Sequence, residues 1–266
     1  MQQADQFPML MTFVINLPQS KERRQRMEMQ LETTGLHYAF YEAVDGKAEW
    51  DRLAPSVDIS AFQRHVGRAV LPGEIGCYHA HLGAWQRFLD SSAEFLLVLE
   101  DDMVLHADFI DALHVALRAS SHWDMLKLAK IRAKQPICQG RIGPYQLNAY
   151  LGAATGFGAY LLNRETAMRL LPLLLPIKAP IDRELEQVHR YDLRHFGLEP
   201  FPAHPEDHGR STITGDQFGA VKRWPLRKRW TKYAEQLENL IGRLIYLCVT
   251  RRLIPKTNNL PLQGLR

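Results

Sequence analysis

The first apolar stretch of the chain, Met9 to Leu17 (MLMTFVINL), is short, unbroken and stopped by Pro18. A run of that length rich in branched and aromatic residues reads as a buried β-strand. Ser20 then stands as an N-cap for a helix over about 21–34, which Gly35 ends. A second strand is expected over 38–44, closed by the turn pair Asp45-Gly46. Strand, helix, strand is the usual opening of a parallel α/β sheet. Residues 47–70 are polar and without clear period, and read as a surface excursion. Pro72-Gly73-Glu74 introduces a helix to about Leu89. Phe95–Leu99 (FLLVL) is the clearest buried strand, and it runs directly into Glu100-Asp101-Asp102. Beyond it the pattern predicts a helix over about 107–119 and a strand over 124–128. Pro136, Gly140, Gly143 and Pro144 give 130–150 the look of a loop. Small residues over 152–162 lead to a helix over 164–171, three prolines follow, and a polar helix is expected over 182–191. After residue 221 the character changes to a basic run, KRWPLRKRW, and then to Leu237, Leu240, Ile241, Leu244, Ile245 and Cys248 at helical spacing.

Composition narrows this picture. With 266 residues, 46% hydrophobic and 23% charged, the chain has enough apolar surface for one large domain, which excludes disorder over most of its length. The boundary falls at the composition change, giving a domain over 9–221 and a basic, amphipathic extension over 222–266. Cys77, Cys138 and Cys248 are far apart, odd in number and form no CxxC pair. This argues against a disulfide framework or a zinc-thiolate site and fits a reducing compartment. No run of about 18 apolar residues suggests a membrane span, and the first residues do not resemble a signal peptide. A cytoplasmic location is therefore expected. The net charge of +4 is concentrated beyond residue 221.

Three adjacent carboxylates at the end of a buried strand are the sharpest chemical feature. Ligands in open α/β sheets bind beyond the carboxyl ends of the strands. Adjacent carboxylates repel, and a hard divalent cation with oxygen ligands offsets that repulsion. In an extended segment Glu100 and Asp102 point to one side and Asp101 to the other. An acidic turn ahead of the next helix is the plainer alternative.

FVINL, Arg23-Arg24, EAVDG, LPGEIGCYHAHLGAW and LVLEDDM occur in this order, and together with the spacing between them they resemble the bacterial lipooligosaccharide glycosyltransferases of family 25, across roughly residues 11–215. The resemblance implies a GT-A-type nucleotide-sugar-binding α/β fold with a mostly parallel central sheet, followed here by a helical C-terminal extension. It implies a UDP-sugar donor, most often UDP-galactose, assistance by Mn²⁺ or Mg²⁺, and inversion at the anomeric carbon. It also implies that Glu100 and Asp102 form the DXD-like metal and diphosphate motif. One departure stands out: Ala80 replaces the serine that precedes the family's histidine, which His81 matches.

Roles follow residue by residue. Asn16 ends the first strand, where uracil or ribose would lie. Arg23 and Arg24 open a helix, and one guanidinium is suited to the diphosphate. Asp45 is placed for ribose or sugar, or simply forms an Asp-Gly turn. Gly73, Glu74 and Gly76 give a close approach to a helix N-terminus. His79 and His81 are two apart on a helix and so make a poor metal pair; His81 is taken as the site member. Asp101 joins the donor-binding set, and Gly156 lies in a glycine-rich stretch that lets backbone approach a ligand. Asp182 is the candidate base for the acceptor hydroxyl, with Glu74 second. His208 is a candidate third metal ligand, against a surface-loop alternative. The basic, tryptophan-bearing tail beside an amphipathic helix suits an anionic inner-membrane surface and a lipid-linked oligosaccharide acceptor, or else simply packs on the core. Acceptor choice is expected in 47–70 and 130–150. No nucleic-acid motif accompanies the basic run, so no nucleic acid is expected as a partner. Two rival functions nevertheless remain: a metal-dependent phosphoester hydrolase or nuclease, and a non-enzymatic basic nucleic-acid-binding protein.

Overall fold

The computed structural model describes residues 7, 9–206, 224, 225, 227 and 229–263. Its centre is an eight-stranded sheet built from β1 (Leu10–Asn16), β2 (Ala39–Glu42), β3 (Phe95–Glu100), β5 (Met125–Lys127), β6 (Pro136–Ile142), β7 (Tyr145–Tyr150), β8 (Ala159–Asn163) and β9 (His195–Glu199), in the order β2-β1-β3-β8-β5-β9-β7-β6. Following the pairings across the sheet, β2, β1, β3, β5, β9 and β6 run one way, and only β8 and β7 run the other. A separate antiparallel pair joins β4 (Met103–Leu105) to β10 (Ala203–Pro205).

The unbroken apolar runs are explained by cover on both faces, as parallel strands require. Leu97 and Leu99 of β3 face one core, together with Met27 and Leu31 of α1 (Lys21–Glu32) and Leu113 and Leu117 of α5 (Phe109–Arg118). Leu96 and Val98 alternate into the other core, with Ile75, Tyr78 and Trp85 of α4 (Pro72–Leu89) and Phe62 of α3 (Ile59–Val66). α1 ends two residues earlier than expected, with Thr33 as its C-cap, and Gly35 takes the left-handed conformation, φ +67°, in the turn that follows.

Three stretches depart from the sequence expectation, and the tail takes up its expected helix. Residues 47–70 hold two helices, α2 (Trp50–Leu53) and α3, rather than an irregular excursion. Asp58 caps α3 by accepting from Ala61 N at 2.9 Å. Residues 136–150 form a hairpin, β6–β7, at the sheet edge, where proline and glycine are tolerated; Gly140 takes φ +141° at a register shift. The helix expected over 182–191 is two short ones, α7 (Ile181–Leu185) and α8 (Val188–Tyr191). The tail helix, α9 (Trp230–Val249), lies against α3 and α8, and its Arg243 and Leu247 are buried. Past α9 the chain runs along β6, with Arg141 N donating to Asn258 O at 3.0 Å and Leu260 N to Arg141 O at 2.8 Å. α6 (Arg164–Leu170) is as foreseen, capped by Asn163.

Candidate active site

The ends of β1 and β3 bring the first group together. Asn16 is 4% exposed, and its Nδ2 donates to Asp101 Oδ2 at 2.7 Å. Arg23, in the first turn of α1, donates from Nη1 to Asp101 Oδ1 at 3.1 Å and lies 3.6 Å from Asp102 Oδ2. Arg24 points elsewhere: it pairs with Glu28 at 3.0 Å and its guanidinium sits 4.0 Å over the Phe40 ring. Of the two arginines, the structure therefore brings Arg23 to the carboxylates.

β3 ends at Glu100 and the chain turns at Asp101 and Asp102, so the simple alternation expected for an extended segment does not hold. Glu100 faces α4. Tyr160 on β8 accepts from Trp85 Nε1 at 2.8 Å and lies 3.0 Å from His81 Nδ1. His81 Nε2 lies 3.3 Å from Glu100 Oε1. If the Tyr160 hydroxyl donates to Nδ1, His81 carries its proton on Nε2 and donates it to Glu100. His81 is fully buried, and its place in this relay makes it a support for Glu100. Cys77 Sγ also reaches Glu100 Oε1, at 3.8 Å. Burial, and then the negative charge of Glu100, push the Cys77 thiol well above its ordinary range, so it stands as a thiol donor. Cys77 went unrecognised in the sequence, although Cys77 and His81 are four apart and so share a helix face. His79 points away, its Nε2 2.8 Å from Ser56 Oγ.

Asp102 is the electrostatic anomaly. Burial and the charge of Glu100 raise its pKa to about 7, against the opposing pull of Arg23. Its Oδ1 is buried and has no hydrogen-bond partner among the described residues. Asp101 is also raised, mainly by burial, with Asn16 and Arg23 opposing. Cys77, His81 and Glu100 present donor atoms within 4.8 Å of one another. Both imidazole nitrogens of that group are engaged, however, and its thiol holds its proton.

Asp182 joins from α7. Its Oδ1 accepts from Arg183 N at 2.8 Å and its Oδ2 from Gly156 N at 3.2 Å. Gly156 has φ +96°, and a Cβ there would lie 2.6 Å from Ile131 N, so only glycine fits. The charge of Asp182 is felt at Cys77 on one side and at Glu186 and Lys127 on the other.

The remaining expected residues sit around this centre. Asp45 accepts from Lys47 N at 2.9 Å and Ala48 N at 3.1 Å, and these amides, with Ala48 foremost, lower its pKa. It is a turn-forming aspartate that also accepts from Gln19 at 3.2 Å. Glu74 pairs with Arg68 at 2.5 Å, and its other oxygen, Oε2, is buried without a partner among the described residues. Gly73 lies in the first turn of α4, but the close approach is made by Gly76, whose Cβ would fall 2.4 Å from Val44 O. His208 lies outside the described residues. The chain reaches that stretch at Glu206, whose backbone N donates to Asp102 O at 2.7 Å.

A cavity lies behind this cleft, lined by Lys127, Tyr150, Glu186, His195 and Arg243. Tyr246 and Leu247 of α9 and Ala154 also form its walls.

Residues 9–185 match the family model described as glycosyltransferase family 25 (LPS biosynthesis protein). The chain belongs to glycosyltransferase family 25. The matched span takes in β1, α1, α4, β3 and Asp182, so every candidate above except His208 lies inside it. Among relatives, procollagen galactosyltransferase 1-B of Xenopus laevis is 28% identical over 228 residues, covering 77% of this chain and 36% of that one. Procollagen galactosyltransferase 2 of Mus musculus is 28% identical over 218 residues, covering 73% and 34%. A glycosyltransferase 25 family member of Drosophila pseudoobscura pseudoobscura is 29% identical over 170 residues, covering 60% and 26%. The chain thus spans about a third of the length of the first of these relatives. A solved glycosyltransferase involved in glycosylation of the major capsid of PBCV-1 aligns over 73% of this chain and 82% of its own, at 12% identity and a TM-score of 0.39. That likeness is too loose to add to the sheet order. The family match falls on the mixed, mostly parallel α/β sheet and ends before α9.

Proposed function

We propose that this family 25 chain transfers a hexose, galactose foremost, from a UDP-sugar to a hydroxyl of a lipid-linked oligosaccharide of the lipopolysaccharide type. The observation that carries the reading is Asp102: a half-buried carboxylate beside Glu100, raised to about 7, whose inner oxygen Oδ1 nothing pairs among the described residues. Such a group is stabilised by a cation close by. Glu100 and Asp102 offer only oxygen donors and fit a hard ion such as Mn²⁺ or Mg²⁺, whereas the sulfur of Cys77 is a soft donor suited to other ions. Bound there, the ion would neutralise charge on the departing diphosphate.

The protein's own groups have separable tasks. Arg23 holds Asp101 and Asp102 and presents a guanidinium to anionic oxygens. Asn16, at the end of β1, closes the same corner. The Trp85–Tyr160–His81 relay fixes Glu100. Asp182, held by two backbone amides, is the carboxylate we assign to take the proton of the attacking hydroxyl, and inversion follows if that attack is a single displacement. Glu74 is the second candidate for this task, but Arg68 already occupies it.

The test is UDP release from a panel of UDP-hexoses, with and without Mn²⁺, for the native chain and Asp102→Ala. The expected outcome is metal-dependent turnover of one UDP-hexose that falls by about a hundredfold or more in the variant. Failure to bind or cleave any nucleotide sugar under every metal condition would overturn the donor assignment.

A further inference from the structure

We infer that the outer face of α9 is a docking surface for an anionic lipid bilayer, on which the helix lies flat. The inner face of the helix is already used: Arg243 and Leu247 are buried, Glu235 lies 2.7 Å from His65 Nδ1, and Gly242 lies close against His189. The opposite face is apolar and open. Trp230, Tyr233, Leu237, Leu240, Leu244 and Ile245 recur along it at helical spacing, each between 43% and 67% exposed. A continuous exposed stripe of this kind marks an interaction site.

Charge selects the occupant. Residues 222–266 hold eleven Lys and Arg against two acidic residues, a balance of +9 in a chain whose total is +4. The rest of the molecule is therefore net negative, and the positive charge travels with this helix. Arg227 stands exposed before its start and Arg251 after its end. A second copy docked on the same stripe would bring two such cationic segments together. An anionic headgroup layer is complementary at both ends, while the apolar stripe enters the acyl boundary. No described helix is long and apolar enough to cross a membrane, so the helix would lie on the surface. The inference does not depend on the donor sugar or on catalysis, and its readout involves no turnover.

The experiment is co-sedimentation of the full chain with phosphatidylethanolamine–phosphatidylglycerol vesicles and with phosphatidylcholine vesicles. Point substitutions are used, because deleting the tail would remove the buried Arg243. The native chain should bind the anionic vesicles in preference to the neutral ones. Leu237→Gln with Leu244→Gln should weaken that binding by roughly tenfold or more at an unchanged thermal midpoint. Arg227→Gln with Arg251→Gln should weaken it less and make it measurably less salt-dependent. Absence of binding by the native chain, or equal binding by the leucine variant, overturns the inference. So does a native dimer that the leucine variant converts to monomer, since the face would then be covered by a second copy.

Discussion

At the residue scale, the two arginines show what a sequence can and cannot say. The Arg23-Arg24 pair opens a helix near the carboxylates, but adjacent helix positions point about 100° apart, so one of the two must face away. The fold decides it: Arg23 touches Asp101 and Asp102, while Arg24 rests on Phe40 and Glu28. Arg23→Ala should therefore lower kcat/KM for donor turnover by about tenfold to a hundredfold, the scale of a lost charge-assisted hydrogen bond. Arg24→Ala should leave it within a factor of about two, since exposed pairs contribute little. Equal losses in steady-state assays of the two variants would contradict this division. FLLVL followed by three carboxylates was legible because a buried strand end is where such a sheet binds. The Trp85–Tyr160–His81–Glu100 relay was not, because it spans α4, β8 and β3, and only the sheet order brings them together.

At the element scale, strands with both faces covered are easy to read, and edge elements are not. β1 and β3 announce themselves as apolar runs, whereas β6 begins at Pro136 and breaks register near Gly140, so its residues carry loop composition. α9 poses the opposite problem. Its periodicity was plain, but one of its strongest attachments is a charged residue, Arg243, that a local pattern does not mark as buried. Arg243 donates to Gly152 O at 2.5 Å and Glu186 O at 3.0 Å, and lies 3.9 Å from Glu186 Oε2, whose neighbour Oε1 accepts from Ala154 N at 2.7 Å. Burial raises Glu186, while Arg243 and Lys127 oppose that rise. Arg243→Ala would remove a cation beside Glu186 and leave the Gly152 and Glu186 carbonyls without their donor, and about 3 kcal/mol of stability should be lost. Chemical denaturation would measure it; a change below about 1 kcal/mol would mean that α9 is only loosely attached.

At the scale of the whole molecule, the interior sets an acid limit. His195 lines the cavity under α9, where burial and the charge of Lys127 push its pKa down to about 3. His65, under the N-terminal half of α9, is lowered to about 4, chiefly by burial. Both folded-state values lie below the unfolded value of about 6.5, so the unfolded chain takes up protons first as pH falls. Stability present above pH 6.5 should therefore be lost progressively towards pH 4, by at most about 1.4 kcal/mol per pH unit for each histidine. Thermal midpoints measured from pH 7 to pH 4 should fall, and His195→Gln should flatten the decline; a profile identical to the native one would exclude His195 as its source. The sequence by itself determined the strand–helix–strand opening, the carboxylates after β3, the family and the amphipathic tail, because each is a local pattern of period, spacing or composition. Tertiary structure alone decided that Arg23 rather than Arg24 meets those carboxylates, that His81 supports Glu100, that Gly156 holds Asp182, and that Arg243 anchors the tail while its apolar stripe stays outside. Those are contacts between residues tens of positions apart, and long-range proximity is set by sheet order and packing, which no local pattern encodes.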